Sequence, residues 1–256
     1  GIALGIVMTT PVRIVGSYLS PFVRKVLVFL DLKGIPYQID PIIPFFGDDR
    51  FSQVSPLRRI PVLVDDKVTL SDSSVICQYL EDRYPTPALY PQDIVKRAQA
   101  RWIEEYSDTR MAEVFIWRIF NQVAIGPAVW EEPANHDVVE RAREQELPGI
   151  MDYLEQKMPS SGFLYGSVSI ADVALGAMFR NVMLSRISLD ASRWPKTVYY
   201  LERVHSLESF AKLFPIEHRL IRTPPRQHRA VLAELQVPLT PDSFAAESPR
   251  RGLMRT

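Results

Sequence analysis

Apolar positions along this chain fall into two regimes, short strand-like runs up to Pro85 and long helical stripes beyond it. Val12-Arg13-Ile14-Val15 reads as a short strand. Pro21 to Lys33 reads as a helix with Phe22, Val26, Phe29 and Leu30 on one face and Gly34 as its stop. Tyr37 to Ile39 suits a second strand, followed by a loop holding Pro41, Pro44, Phe45 and Phe46 and a polar stretch from Asp48 to Ser55. Ile60 to Val64, the turn Asp65-Asp66 and Val68 to Leu70 read as a β-hairpin, after which Ser71-Asp72-Ser73 caps a helix running to Tyr84. The order β-α-β, loop, β-β-α predicts a small mixed sheet with helices packed against it.

Beyond Pro85 and Pro87 the spacing is helical throughout. Ala98, Trp102, Ile103, Tyr106, Met111, Val114, Phe115 and Ile119 mark a helix over 95–121, with the Gly126-Pro127 break ending it. A second long helix spans 135–157 with a kink at Pro148. Ser169-Ile170-Ala171-Asp172 has the spacing of a capping box and opens an apolar helix to Ile187, and 195–206 and 207–214 supply two more. The expected organisation is an extension or appended remnant over 1–10, a mixed α/β domain over 11–86, an all-helical domain over 92–218, and a Pro- and Arg-rich, partly irregular tail over 219–256. The tail holds seven arginines against three acids, which reads as a solvated segment, with Arg226 to Leu235 able to fold as a short helix over a neighbouring pocket.

Charge and composition remove several function classes. Lys plus Arg equals Asp plus Glu at 30 each, so no global field draws the chain to nucleic acid or an anionic membrane surface. No run approaches the roughly 18 consecutive apolar residues of a membrane span. The single cysteine, Cys77, rules out an intramolecular disulfide and fits a cytoplasmic protein; it reads as a small buried hydrophobe. His136, His205, His218 and His228 are scattered without metal-ligand spacing, and no zinc-protease, serine-hydrolase or phosphate-loop motif occurs, so no metal is expected.

Three places carry candidate chemistry. Ser20 precedes Pro21 at a helix start, where a hydroxyl either caps the helix or donates to a bound thiolate or carboxylate favoured by the helix dipole. Ser17 and Tyr18 lie close by, and the Tyr18 hydroxyl is the alternative donor. Pro61 sits inside a strand-like run. It either opens the strand in the trans form or forms a cis bend that presents the Ile60 main chain to an extended peptide. Asp72-Ser73 either caps the next helix or holds the carboxylate and amine of an amino-acid-like ligand. Together the three would bind a small peptide with a free amine, carboxylates and a thiol.

That set resembles the glutathione transferase family over about residues 12–215. Val15-Gly16-Ser17-Tyr18 with Ser20-Pro21-Phe22-Val23-Arg24-Lys25 is similar to the start of serine-type bacterial, tau and zeta-like members. Ser55-Pro56-Leu57-Arg58-Arg59-Ile60-Pro61-Val62-Leu63 is similar to the family's Asn-Pro-x-x-Lys-Val-Pro-x-Leu segment, with Ser55 and Arg59 in place of Asn and Lys. Leu70 to Ile76 matches its γ-glutamyl-binding motif, and Ser169 to Asp172 its capping box.

The resemblance implies a thioredoxin-like N-terminal domain with a mixed four-stranded sheet, a C-terminal helical bundle, a homodimer, and glutathione as co-substrate. By carry-over, Ser20 would hold the glutathione thiolate, and Ile60, Pro61, Arg59, Asp72 and Ser73 would bind the rest of the peptide. Tyr18, Leu19, Met111 and Phe115 would line the pocket for a small hydrophobic electrophile, in a detoxifying transferase. The stretch from Val75 to Asp82 with Lys96-Arg97-Ala98 also looks like glutathione-dependent β-etherases, and a maleylacetoacetate-type isomerase is a further reading. A non-catalytic member resembling the stringent starvation proteins is the alternative of another class.

Overall fold

The computed structural model describes residues 11–251. The extension expected over 1–10 lies outside the described residues. The first half folds as β1 (Val12–Val15), α1 (Pro21–Leu32), β2 (Tyr37–Asp40), α2 (Asp49–Val54), β3 (Val62–Val64), β4 (Thr69–Ser71) and α3 (Ser73–Arg83). The sheet order is β2-β1-β3-β4, with β1 and β2 parallel and the other two pairings antiparallel. This is a thioredoxin-like mixed sheet. It buries Ile14, Ile39 and Leu63 against α1, whose Val23, Val26, Phe29 and Leu30 are fully enclosed. Gly16 ends β1 at φ +151, and a Cβ there would meet the Val23 side chain at 2.4 Å, so only glycine lets the strand turn this tightly into α1.

The second half is a helical bundle: α4 (Ile94–Tyr106), α5 (His136–Gln145), α6 (Leu147–Glu155), α7 (Ile170–Leu184), α8 (Pro195–His205), α9 (Glu208–Ala211), α10 (Phe214–Leu220) and α11 (His228–Glu234). Helix α7 is enclosed along nearly its whole length and packs on α1, joining the two halves through one core. The capping box at its start is formed, with Asp172 accepting from the Ser169 N–H at 2.9 Å and Ser169 Oγ accepting from the Ala171 N–H at 3.3 Å.

Four expectations are corrected. The helix begun at α4 does not stop at Gly126-Pro127; helical backbone with wider, π-type turns continues over Ser107–Met111 and Glu113–Trp130. Pro127 removes one donor without ending the ladder, and Glu131 closes it at φ 55 with its N–H on the Gly126 carbonyl. Pro148 does not kink one helix but sits in the first turn of α6, where its missing N–H costs nothing, and the chain breaks between α5 and α6. The stretch 207–214 is not one helix, because Pro215 opens a fresh first turn in α10.

The tail is the fourth. Its return path is bonded to the sheet edge: Ile39 donates to the Pro238 carbonyl and Thr240 to the Ile39 carbonyl, each at 3.0 Å. The buried Asp40 carboxylate accepts from Ser243 Oγ at 2.7 Å and from the Phe244 N–H at 2.8 Å. Further on, Ala246 and Arg250 donate main-chain bonds to Phe46 and Phe45. A segment read as solvated therefore covers the open edge of β2, which would otherwise present unpaired main-chain groups.

Candidate functional site

Between the two halves lies a cleft of about 1190 Å³. Its sheet-side wall carries Ser17, Leu19, Ser20, Arg59, Ile60 and Asp72–Ser73, drawn from three separate segments of the chain.

Ser20 is the N-cap of α1: its Oγ accepts from the Val23 N–H at 3.2 Å. Capping uses an oxygen lone pair and leaves the O–H hydrogen free to donate into the cleft. Two main-chain carbonyls just ahead of it are tied down from below. Asn181 Nδ2 on α7 donates to the Leu19 carbonyl at 2.9 Å, and Arg24 donates to the Tyr18 carbonyl at 3.1 Å. Arg24 is wholly buried, and it also donates to Glu217 at 2.5 Å, to Asn181 Oδ1 at 2.5 Å and to the Ala177 carbonyl at 2.9 Å. Glu217 in turn accepts from Arg180 at 3.0 Å. The turn bearing Ser20 is thus fastened to α7 and α10 by a buried ionic network in which Arg24 and Arg180 share the one carboxylate of Glu217, with Arg180 Nη2 left without a partner among the described residues.

The Ile60–Pro61 peptide bond is cis. Ser55, fully buried, accepts from the Arg59 N–H at 2.9 Å and donates back to the Arg59 carbonyl at 2.7 Å, so the serine that replaces asparagine here clamps the loop before Ile60. Among the described residues neither main-chain group of Ile60 has a protein partner, and Ile60 borders the cleft. Pro61 itself is buried behind it.

Asp72 caps α3, accepting from the Ser74 N–H at 2.9 Å and the Val75 N–H at 3.1 Å, and it holds φ +79, a region costly for any residue but glycine. Ser73 is the first helical residue and is buried. Under this helix start Lys25 Nζ, enclosed in the core, bonds Asp108 at 2.7 Å, Glu104 at 2.9 Å and Ser74 Oγ at 3.2 Å. Burial opposes its charge, but Asp108 and Glu104 outweigh that and hold the ammonium above its usual pKa. The charged pair Arg24-Lys25 of α1 thus anchors the two helix starts of the cleft.

The structure separates three expected residues from the cleft. Tyr18 is turned into the core, 2% exposed, with its hydroxyl 3.2 Å from that of Tyr37, and burial pushes its pKa up; it serves neither as thiolate partner nor as pocket lining. Met111 and Phe115 are fully enclosed in the bundle. The wide helical turns instead bring Ile116, Trp117 and Phe120 to the cleft wall, together with Leu184 and Ile221, whose contribution no sequence motif signalled, and His228, which opens α11 in the 226–235 stretch expected to fold as a short helix over the pocket. Leu19 does line the cleft. Cys77 is completely buried, and burial raises its thiol pKa despite nearby Lys25, so it is no nucleophile. Among the described residues no cluster of three or more His, Cys, Asp or Glu is placed to hold a metal, and no helix is long and apolar enough to cross a membrane.

Residues 14–88 match the family model described as Glutathione S-transferase, N-terminal domain. Along the chain, identity is 30% over 208 residues with the uncharacterized GST-like protein YibF of Escherichia coli strain K12, covering 79% of this chain and 98% of that protein. It is 28% over 200 residues with maleylacetoacetate isomerase of Rattus norvegicus, covering 75% and 86%. A glutathione S-transferase from Sinorhizobium meliloti 1021 superposes with a TM-score of 0.74 at 21% identity, covering 86% of this chain and 98% of that one. One from Methylobacterium radiotolerans, in complex with glutathione sulfonate, gives 0.66 at 23%, covering 79% and 94%. On the full-length match to YibF, supported by the N-terminal domain model, the chain belongs to the glutathione S-transferase family.

Proposed function

We propose that this protein is a glutathione transferase in which Ser20 stabilises the glutathione thiolate and directs it at an electrophile held in the apolar half of the cleft. The observation that carries the reading is the gathering of Ser20, the unpaired Ile60 main chain and the Asp72-Ser73 helix start on one wall, opposite Ile116, Trp117 and Phe120. The residues fit the peptide. Ile60 offers one donor and one acceptor to an extended main chain, while the α3 start offers a hydroxyl, a carboxylate and a positive dipole end to the amine and carboxylate of an amino-acid terminus.

Glutathione supplies a thiol, whose ordinary pKa of about 8.5 leaves only a few per cent as thiolate at neutral pH. Ser20 donates its O–H hydrogen to the sulfur, and the α1 N-terminus adds its partial positive charge, so the thiolate is favoured and its proton passes to solvent. The Asn181 and Arg24 bonds keep the Ser20 turn in place during this step. Ile116, Trp117 and Phe120 exclude water from the acceptor. Cleavage of an aryl ether and isomerisation of a double bond would start from the same thiolate, and no residue of the cleft singles either out. We infer a homodimer from the exposed apolar side chains Val75, Ile94 and Val95 on α3 and α4, which sedimentation would test.

Calorimetry with glutathione tests the reading. Binding between micromolar and millimolar, about 4 to 8 kcal/mol, is expected. Absence of binding at several millimolar would contradict it and favour a non-catalytic docking role for the fold.

A further inference from the structure

The acceptor side of the cleft carries two cations that the protein has not neutralised. Arg186 follows the end of α7 at φ +60, a left-handed conformation unfavourable for a long side chain, and it lines the cleft beside Leu184 and Ser185. Arg222 follows α10 and lines the same wall beside Ile221; its Nε donates to the His218 carbonyl at 3.2 Å, and its two terminal nitrogens have no protein partner among the described residues. Neither guanidinium is in an ion pair there. Some surface arginines elsewhere find carboxylates, Arg50 with Asp48, Arg118 with Glu113, Arg143 with Glu140 and Arg219 with Glu234, whereas the exposed Arg141 and Arg226 have none among the described residues.

The acids that border the cleft come from other elements. Asp72 caps α3 through Oδ1 and Asp108 bonds Lys25, while Glu105 and Glu131 belong to α4 and to the end of the wide-turned helix. Arg186 and Arg222 share a wall with Leu184 and Ile221, and Asn181, one turn before Ser185 on α7, holds the Leu19 carbonyl next to Ser20. Arg186 and Arg222 are thus two exposed, permanently charged groups lining the same cleft as Ser20, Trp117 and Phe120.

We propose that the acceptor handled by this cleft carries a carboxylate or comparable small anionic group on an aromatic body, and that Arg186 and Arg222 hold that group. The assignment rests on the transferase reading for its catalytic meaning. Guanidinium groups bind a carboxylate through charge-assisted, bidentate hydrogen bonds, and because both arginines are exposed the attraction is open to screening by salt. Trp117 and Phe120 offer ring faces and edges to the aryl portion.

The probe pair is 4-chloro-3-nitrobenzoate and its neutral counterpart 4-chloro-3-nitrobenzamide. With each, the thiolate sulfur bonds to the ring carbon bearing chlorine, the carbon–chlorine bond breaks, and chloride leaves with the bonding pair. Rates are divided by the uncatalysed rate of the same compound, and dissociation constants for both compounds are measured separately without glutathione. The expected result is a preference of about fivefold to tenfold for the carboxylate in both measurements, weakened by salt and abolished in the Arg186→Gln/Arg222→Gln double variant. Equal handling of the two compounds, or a preference that survives in the double variant, would overturn the assignment. Failure of glutathione to bind would overturn the transferase reading alone, because the dissociation constants still decide whether the two arginines form an anion subsite.

Discussion

Asn181 Nδ2 donates to the Leu19 carbonyl at 2.9 Å, across 162 positions of sequence, and so fixes the residue directly before Ser20 to the helical half. The same side chain accepts from Arg24 through Oδ1. The Ser20 turn is therefore positioned by the partner half of the fold as much as by its own strand and helix.

Asn181→Leu removes both bonds, leaving the Leu19 carbonyl without its side-chain donor and Arg24 Nη1 with the Ala177 carbonyl alone. A loss of about 1 to 3 kcal/mol in unfolding free energy is expected. Because Asn181 acts through the turn, kcat should fall with glutathione affinity nearly constant, and the pH profile of the rate should move upward. A fall in stability with an unmoved profile would assign Asn181 a purely structural role.

His205 is buried, with Nε2 2.8 Å from the Gly176 carbonyl; burial, helped by Arg180 and Arg24, lowers its pKa to about 4. In the unfolded chain the imidazole takes a proton near pH 6.5, whereas in the native protein it stays neutral until about pH 4, so stability falls as pH drops through this window. The loss is on the order of 3 kcal/mol at most. Urea unfolding at pH 7 and pH 5 should show a steeper decline for the native sequence than for His205→Gln, which does not titrate. Parallel declines would contradict the assignment.

Removal of residues 238–256 should expose the β2 edge. The Ile39 amide loses its bond to the Pro238 carbonyl, and Asp40 loses Ser243 and Phe244. Hydrogen exchange is expected to accelerate at Ile39 by at least tenfold while Ile14 and Leu63 in the sheet interior keep their protection. Uniform acceleration across the sheet would mean that the tail supports the whole domain and not this edge.

Short-range chemistry was readable along the sequence. A serine before proline, an Asp-Ser helix start and a Ser-x-x-Asp box each satisfy their main-chain groups within a few residues, and Ser20, Asp72 and Ser169 stand where those patterns place them. Helix phase was less legible. Met111 and Phe115 obey α-helical spacing, but the wider turns of this helix rotate Ile116, Trp117 and Phe120 onto the cleft instead. Long-range polar networks left no local trace. Nothing near Arg24 and Lys25 in the sequence announces their burial, which depends on Glu217, Glu104 and Asp108 arriving from distant helices. The tail misled for the same reason, since its partners Asp40, Phe45 and Phe46 lie some 200 positions away and its prolines gave no sign of an edge to cover.

The central claim is that the Ser20 hydroxyl holds a thiolate. Titrating the ultraviolet thiolate absorbance of protein-bound glutathione reads this directly. In the native protein the thiol pKa should lie about one to two units below the free value of about 8.5, and in Ser20→Ala it should return toward that value while Ser17→Ala leaves it depressed. A pKa that stays depressed in Ser20→Ala would contradict the account.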